Sequence, residues 1–208
     1  MGRYSGPKGT RDDLPGLEMS GIVESVGERV SSWAPGDRVM ALLGGGGYGS
    51  KLAIHERMLM PVPPNIELVD AASIPEVFLT AYDAMFVQCE LRMGESVLIH
   101  AAGSGVGTAA IQLAASQGCR IFGTAGSAEK LERAGALGLN VGINYHDEDF
   151  AEVVRERTDG AGVNVILDVI GAPYWEQNLA ALALRGRMVI VGTMGGSKLE
   201  VNLGALMG

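Results

Sequence analysis

Between Gly94 and Val191, short apolar runs alternate with longer segments that mix polar and apolar residues. The pattern predicts strands over 96–100, 120–124, 141–144, 163–169 and 187–192, with helices at about 106–117, 127–136, 148–157 and 174–184 between them. In the first strand Val97, Leu98 and Ile99 are consecutive apolar residues, which suits a strand buried on both faces. Alternation of this kind implies an α/β fold, a parallel sheet with helices on both sides. The chain upstream reads differently. From Met19 to Pro63 it carries short strand-like pieces: the region of Ile22, Val23, Val26 and Val30, then 38–42, 51–54 and 58–62. Turn signals separate them, as in a small barrel or folded sheet. The glycine run 44–47 has no Lys-Ser/Thr after it and reads as a flexible hairpin connection, not a phosphate loop. Helical signals begin at 71–74, Pro75 breaks or starts a turn, and 77–87 is amphipathic. Two domains are expected, a β-rich piece over 1–75 and a sheet-and-helix domain over 76–208.

The ends read as interrupted. Residues 1–17 form a polar loop broken by Gly and Pro with no element before it, and 197–208 offer at most one further strand. The expectation is a chain truncated at both ends.

Composition narrows the function. Hydrophobic residues make up 47% of the 208 residues and charged ones 19%, enough for a sizeable core. The net charge of −8 argues against nucleic acid or an anionic membrane as a partner. Cys89 and Cys119 fit neither a disulfide framework nor a Cys-x-x-Cys metal site, so two buried thiols are expected. With no apolar run of membrane-spanning length and no signal-peptide pattern, the reading is a soluble cytoplasmic protein.

The chemistry concentrates where strand 96–100 turns into the next helix. Gly103-Ser104-Gly105-Val106-Gly107 joins them, and Gly105, Gly107 and Ala110 satisfy the G-x-G-x-x-A spacing. A turn of this type lets a pyrophosphate approach the backbone and face the N–H groups at the helix start. After the second strand the residues are Gly126 and Ser127, and the first acid is Glu129. No carboxylate stands where it would grip an adenosine ribose hydroxyl. Ser127 and Lys130 instead offer a hydrogen bond and a charge to a 2′-phosphate, which favours NADPH; capping and a solvated surface lysine are the plainer roles for the same pair. Tyr145 reads either as an adenine or 2′-phosphate contact or as a strand-end aromatic. Ile170-Gly171 and Thr193-Met194-Gly195 close the fourth and fifth strands, where the nicotinamide end of a dinucleotide is expected.

The segments 16–27 (GLEMSGIVESVG), 35–42 (PGDRVMAL), 71–86 (AASIPEVFLTAYDAMF) and 98–114 (LIHAAGSGVGTAAIQLA) together resemble the medium-chain dehydrogenase/reductase superfamily, and within it the zinc-independent quinone oxidoreductase branch. The resemblance continues through Gly126-Ser127, Lys130, Asn144-Tyr145, Asp168 to Gly171 and Trp175, covering nearly the whole chain. It implies part of a GroES-like catalytic domain followed by a Rossmann domain, NADPH as cofactor, and hydride transfer to a quinone or similar acceptor. Homodimers are expected for full-length members. By the same resemblance Tyr4 and Ser104 are catalytic candidates, and Glu76 and Thr80 approach the nicotinamide. Zinc-dependent relatives carry Gly-His-Glu where this chain has Gly16-Leu17-Glu18, and leucine cannot ligate a metal. His55, His100 and His146 are scattered and read as structural. Two alternatives stand beside quinone reduction: enoyl-thioester reduction, and a non-catalytic fragment that binds nucleotide or pairs with another subunit.

Overall fold

The computed structural model describes residues 13–206. The chain divides after Val77 into two compact units, the division falling within one helix.

In the first unit, β1 (Glu18–Ile22) pairs antiparallel with β2 (Arg38–Leu42), which pairs on its other side with β3 (Met60–Pro61). Val39, Met40 and Ala41 are buried on β2. A small cluster of Met40, Val62 and Ala71 is flanked by Met60, Ile66 and Leu68, bringing in the short helix α1 (Leu68–Ala71). Two polar contacts fasten that segment to the sheet: the Ser20 hydroxyl donates to the Leu68 carbonyl, and Arg38 Nη2 donates to the Ile66 carbonyl at 2.5 Å.

Several expectations for this half are corrected. β1 starts at Glu18 instead of Ile22, because its ladder with Arg38–Leu42 sets its extent; beyond it only Val23 continues the pairing, with Asp37 and Gly36. Residues 51–54 form no strand, since β2 is already paired along both edges. The glycine run is not a hairpin connection either. The amides of Leu43, Gly46, Gly47 and Tyr48 donate back to carbonyls of residues 14–17, at 2.6 to 3.0 Å. The helix expected at 71–74 is displaced to 68–71. Pro75 opens α2 (Pro75–Tyr82), a position where its missing N–H costs nothing, and 83–88 continue as a π-helical segment.

The second unit is a five-stranded parallel sheet. Its strands are β4 (Ser96–Ile99), β5 (Arg120–Ala125), β6 (Val141–Asn144), β7 (Val163–Asp168) and β8 (Leu182–Ile190), in spatial order β6-β5-β4-β7-β8. The helices are α3 (Gly105–Ser116), α4 (Ala128–Ala136), α5 (Phe150–Arg157) and α6 (Trp175–Ala181). Val97, Leu98 and Ile99 are fully buried in the central strand. One core cluster joins Leu98, Phe122, Ile143, Phe150, Val154 and Ile166. The strand order reverses between β4 and β7, and that crevice is where open α/β sheets bind ligands.

The last helix and strand differ from expectation. The helix expected to reach 184 ends at Ala181, and β8 begins at once, pairing Leu182 with Val163. Gly162 permits this approach, since a Cβ there would lie 2.6 Å from the Ala181 carbonyl oxygen. A bulge follows, with Arg185 at φ +62°, before Arg187 resumes pairing opposite Val165. Residues 191–196 are not strand. Their backbone is instead fastened to the end of β7 by bonds from Val191 to Asp168, Met194 to Val169 and Gly195 to Ile170.

Candidate cofactor site

At the strand-order reversal of the second unit lies a cavity of about 420 Å³. The turn after β4 supplies Ala101, Gly103 and Ser104. The end of β5 gives Thr124, Ala125 and Gly126, α4 gives Lys130, and Tyr145 follows β6. Ile170 and Tyr174 come from the segment after β7, and Met194 and Gly195 from the loop after β8. Of the residues singled out in the sequence, Gly103, Ser104, Gly126, Lys130, Tyr145, Ile170, Met194 and Gly195 thus meet around one space. Gly105, Val106 and Gly107 form the first turn of α3 beside it, Ser127 caps α4, and Gly171 and Thr193 sit in the two loops that close the far side.

Three contacts define the turn. The Ser104 oxygen accepts from the Gly107 amide at 3.0 Å and caps α3, which leaves the hydroxyl hydrogen available to a ligand. Gly107 is pressed against the strand end: a Cβ there would lie 2.4 Å from the Ala101 carbonyl oxygen. At Gly103 the three atoms nearest an added Cβ are all Lys130 side-chain carbons, at 3.2 Å, so the lysine stem lies across this glycine.

On the other side, Ser127 Oγ accepts from the Lys130 amide at 3.4 Å, so the serine is a cap. Tyr145 lies over Gly126, where an added Cβ would stand 2.5 Å from the phenol oxygen, and its ring packs against His146 with centroids 4.6 Å apart. Burial, then the neighbouring Tyr145 and Asp168, push the Tyr174 phenol above its ordinary range, so it remains a protonated donor at the pocket wall.

Two expected positions stand elsewhere, and a third is not described. Tyr4 lies outside the described residues. Glu76 is in the first unit, where its amide donates to the Glu18 carboxylate at 3.0 Å. Thr80, one helical turn on, belongs to the second unit and is not among the residues lining the cavity.

Sequence reasoning missed Ala101, Thr124, Ala125 and Tyr174 as pocket walls, and with them a polar chain beneath the pocket. His100, Thr124, Asp168 and Asn178 are the buried polar residues among the described ones, and all four are joined. His100 Nδ1 lies 3.0 Å from Thr124 Oγ1, and His100 Nε2 lies 2.7 Å from Asn178 Oδ1. Asn178 Nδ2 donates to Asp168 Oδ2 at 3.0 Å, while Asp168 Oδ1 accepts from the amides of Ile170 (2.6 Å) and Gly171 (3.1 Å). Burial drives the His100 imidazole below its ordinary range, against the opposing pull of Asn178 and Asp168, so it is held neutral. The signal in the sequence was a polar residue at the end of each of three apolar runs, His100, Thr124 and Asp168; Asn178 had none.

Another cavity, about 480 Å³, lies in the first unit between residues 42–46 and 51–58. Its lysine, Lys51, is paired with Glu24 at 2.6 Å. No group of three or more His, Cys, Asp or Glu among the described residues is placed to hold a metal ion, and no helix among them is long and apolar enough to cross a membrane. Cys89 and Cys119 are buried free thiols, both pushed up by burial.

Comparison with known proteins identifies the family. Residues 105–208 match the zinc-binding dehydrogenase family, and residues 2–64 match the alcohol dehydrogenase GroES-like domain. Among solved structures, the chain is similar to an Escherichia coli quinone oxidoreductase complexed with NADPH, at 36% identity and TM-score 0.83, covering 93% of this chain and 60% of that one. The CurK enoyl reductase gives 39% identity and 0.81, covering 88% and 55%. An NAD-dependent alcohol dehydrogenase gives 35% and 0.87, covering 93% and 64%. Curated relatives named quinone oxidoreductase, or quinone oxidoreductase-like, match at 32% to 34% identity, and the chain spans only 50% to 57% of their length. With half its residues matched to the dehydrogenase model and a Rossmann-type sheet behind a GroES-like segment, the chain belongs to the medium-chain dehydrogenase/reductase family.

Proposed function

We propose that this chain binds NADPH at the sheet crevice and serves hydride transfer to a quinone-like acceptor, without a metal in the reaction. The observation that carries the reading is the convergence of Gly103 and Ser104, Lys130, Tyr145 and the Ile170 and Met194 loops around one cavity at the strand-order reversal. The residues present fit the cofactor. The bare Gly103 backbone and the first turn of α3, whose Gly105 and Val106 amides have no intrahelical acceptor by helix geometry, suit a pyrophosphate. The exposed Lys130 ammonium, with Tyr145 across Gly126, suits a 2′-phosphate, and no acid lines the cavity to repel it. Ile170, Gly171, Thr193, Met194 and Gly195 suit the nicotinamide end.

When bound, the nicotinamide supplies the hydride. The protein's task is to orient and to shield. Ser104, its oxygen committed to the Gly107 amide, presents its hydrogen to a phosphate or to the oxygen of an acceptor that gains negative charge. Ile170 and Met194, which line the cavity, would flank the nicotinamide end of the bound cofactor. By the resemblance, zinc-dependent relatives carry a histidine ligand where this chain has Leu17, and leucine cannot hold a metal.

Lys130→Met tests the reading. The ratio of NADPH to NADH affinity should fall by about tenfold or more, the scale of one charge-assisted contact, with NADH binding unchanged. An unaltered ratio would remove Lys130 from the site. Turnover assayed in parallel with a quinone and an enoyl thioester assigns the acceptor, and thioester reduction alone would replace the quinone.

A further inference from the structure

We propose that Asp168 is a positioning residue of the cofactor pocket: it holds the turn at Ile170 and Gly171 and, through Asn178, fixes the direction of each hydrogen bond beneath the pocket, so that His100 carries its proton on Nε2.

The direction follows from donor and acceptor identity. The Asp168 carboxylate only accepts, taking the two turn amides on Oδ1 and Asn178 Nδ2 on Oδ2. The Asn178 side chain therefore turns its Oδ1 toward His100, and the nitrogen 2.7 Å away must be the donor, Nε2–H. Nδ1 is then the acceptor and takes the Thr124 hydroxyl hydrogen at 3.0 Å. All four side chains are at most 1% exposed, so no water competes for the assignment. The chain ends at the pocket on both sides. Thr124 and Ile170 line it, and Tyr174, another lining residue, packs edge-on against His100 with ring centroids 4.8 Å apart. The Thr124 carbonyl also accepts from Ala102, within the turn after β4, at 2.8 Å. One set of bonds thus ties together the turn after β4, the end of β5 and the turn after β7. This rests on the cofactor reading above only for its consequence, not for the bond directions.

The test uses the full chain labelled with ¹⁵N-histidine. His55 and His146 are exposed, so the buried His100 is distinguishable by its failure to exchange with solvent. In the unaltered protein His100 should be a single neutral tautomer, protonated on Nε2. Asp168→Asn places an amide NH₂ against that of Asn178; Asn178 must turn over, and His100 should switch to Nδ1–H. The exchanged pair Asp168→Asn with Asn178→Asp puts a carboxylate oxygen where the Asn178 amide oxygen stood, again an acceptor facing His100, and should restore Nε2–H. A fold-level disturbance would not switch and then restore a tautomer. Cofactor affinity is read separately: Asp168→Asn should weaken NADPH and NADH equally, by about tenfold, because the turn loses its charge-assisted grip. Nδ1–H in the unaltered protein, or Nε2–H persisting in Asp168→Asn, overturns the assignment. Unchanged affinity, or a loss confined to one dinucleotide, overturns the positioning role. If the chain binds neither dinucleotide, the cofactor reading and the positioning role both fall, while the tautomer result still decides the bond directions.

Discussion

Two glycines in one turn, Gly103 and Gly107, should respond very differently to alanine. At Gly107 the new methyl would sit 2.4 Å from the Ala101 carbonyl oxygen and 2.9 Å from Ala102 backbone atoms. Both obstacles are main chain at the end of the buried β4, so α3 must move by somewhat under 1 Å. Overpacking of this kind costs about 1–3 kcal/mol. The same movement loosens the Ser104 cap, now 3.0 Å from the Gly107 amide, adding up to about 1 kcal/mol. Better helix propensity returns about 0.5–1 kcal/mol. The net expectation is a loss of about 2 kcal/mol. At Gly103 the three atoms nearest the methyl are Lys130 side-chain carbons at 3.2 Å, so what must give, by a few tenths of an ångström, is the lysine and not main chain. The cost there should stay within about 0.5 kcal/mol, as for surface substitutions. Urea unfolding followed by helical circular dichroism reads both variants. With a slope of about 2 kcal/mol per molar, Gly107→Ala should lower the midpoint by about 1 M. NADPH affinity should fall in both, in Gly103→Ala through displaced Lys130. Equal stability of the two variants would refute the reasoning, because it would mean that the close backbone approach at Gly107 is not a constraint.

Arg187 fastens β8 through a two-pronged pair with Glu95, at 2.9 and 2.7 Å, and through the carbonyls of Cys89 and Glu90. Arg187→Met should cost about 2–4 kcal/mol by leaving these half-buried acceptors without their donor, read as a lowered urea midpoint; a loss below about 0.5 kcal/mol would mean the clamp is idle. The pH dependence follows from His100, whose folded pKa lies below that of the unfolded chain because of burial. Between those two values the unfolded state binds the extra proton, so this contribution is complete above about pH 6.5 and is lost as pH falls. Stability should drop by up to about 1.4 kcal/mol per pH unit as pH falls below about 6.5, and His100→Gln should flatten that limb. The pair Glu95–Arg187 acts lower: the arginine holds the Glu95 carboxyl below its ordinary range, so its share is present above about pH 4.5 and disappears in acid below that.

The parallel sheet was legible because β4, β5 and β7 each carry a short apolar run, the composition that burial on both faces demands. The β-rich half was less so. β1 has the sequence Glu-Met-Ser-Gly-Ile, with no apolar periodicity, and it is a strand because Arg38–Leu42 offers it a ladder. Residues 182–184, Leu-Ala-Leu, favour helix by propensity, yet pairing with Val163 makes them strand; a tertiary contact outweighed a local preference. In the site, Gly103, Gly126, Lys130 and Tyr145 could be placed because they follow strand ends directly. Tyr174 and Asn178 could not, since their meaning comes from the packing of both against His100, which no local spacing encodes.

The most direct test is a fluorescence titration of the purified chain with NADPH and, side by side, NADH. Saturable binding with NADPH favoured by at least about tenfold is the expected result, the scale of one charge-assisted contact to the 2′-phosphate. Equal affinity for the two would contradict the role given to Lys130 and Tyr145, and no binding of either would contradict the site itself.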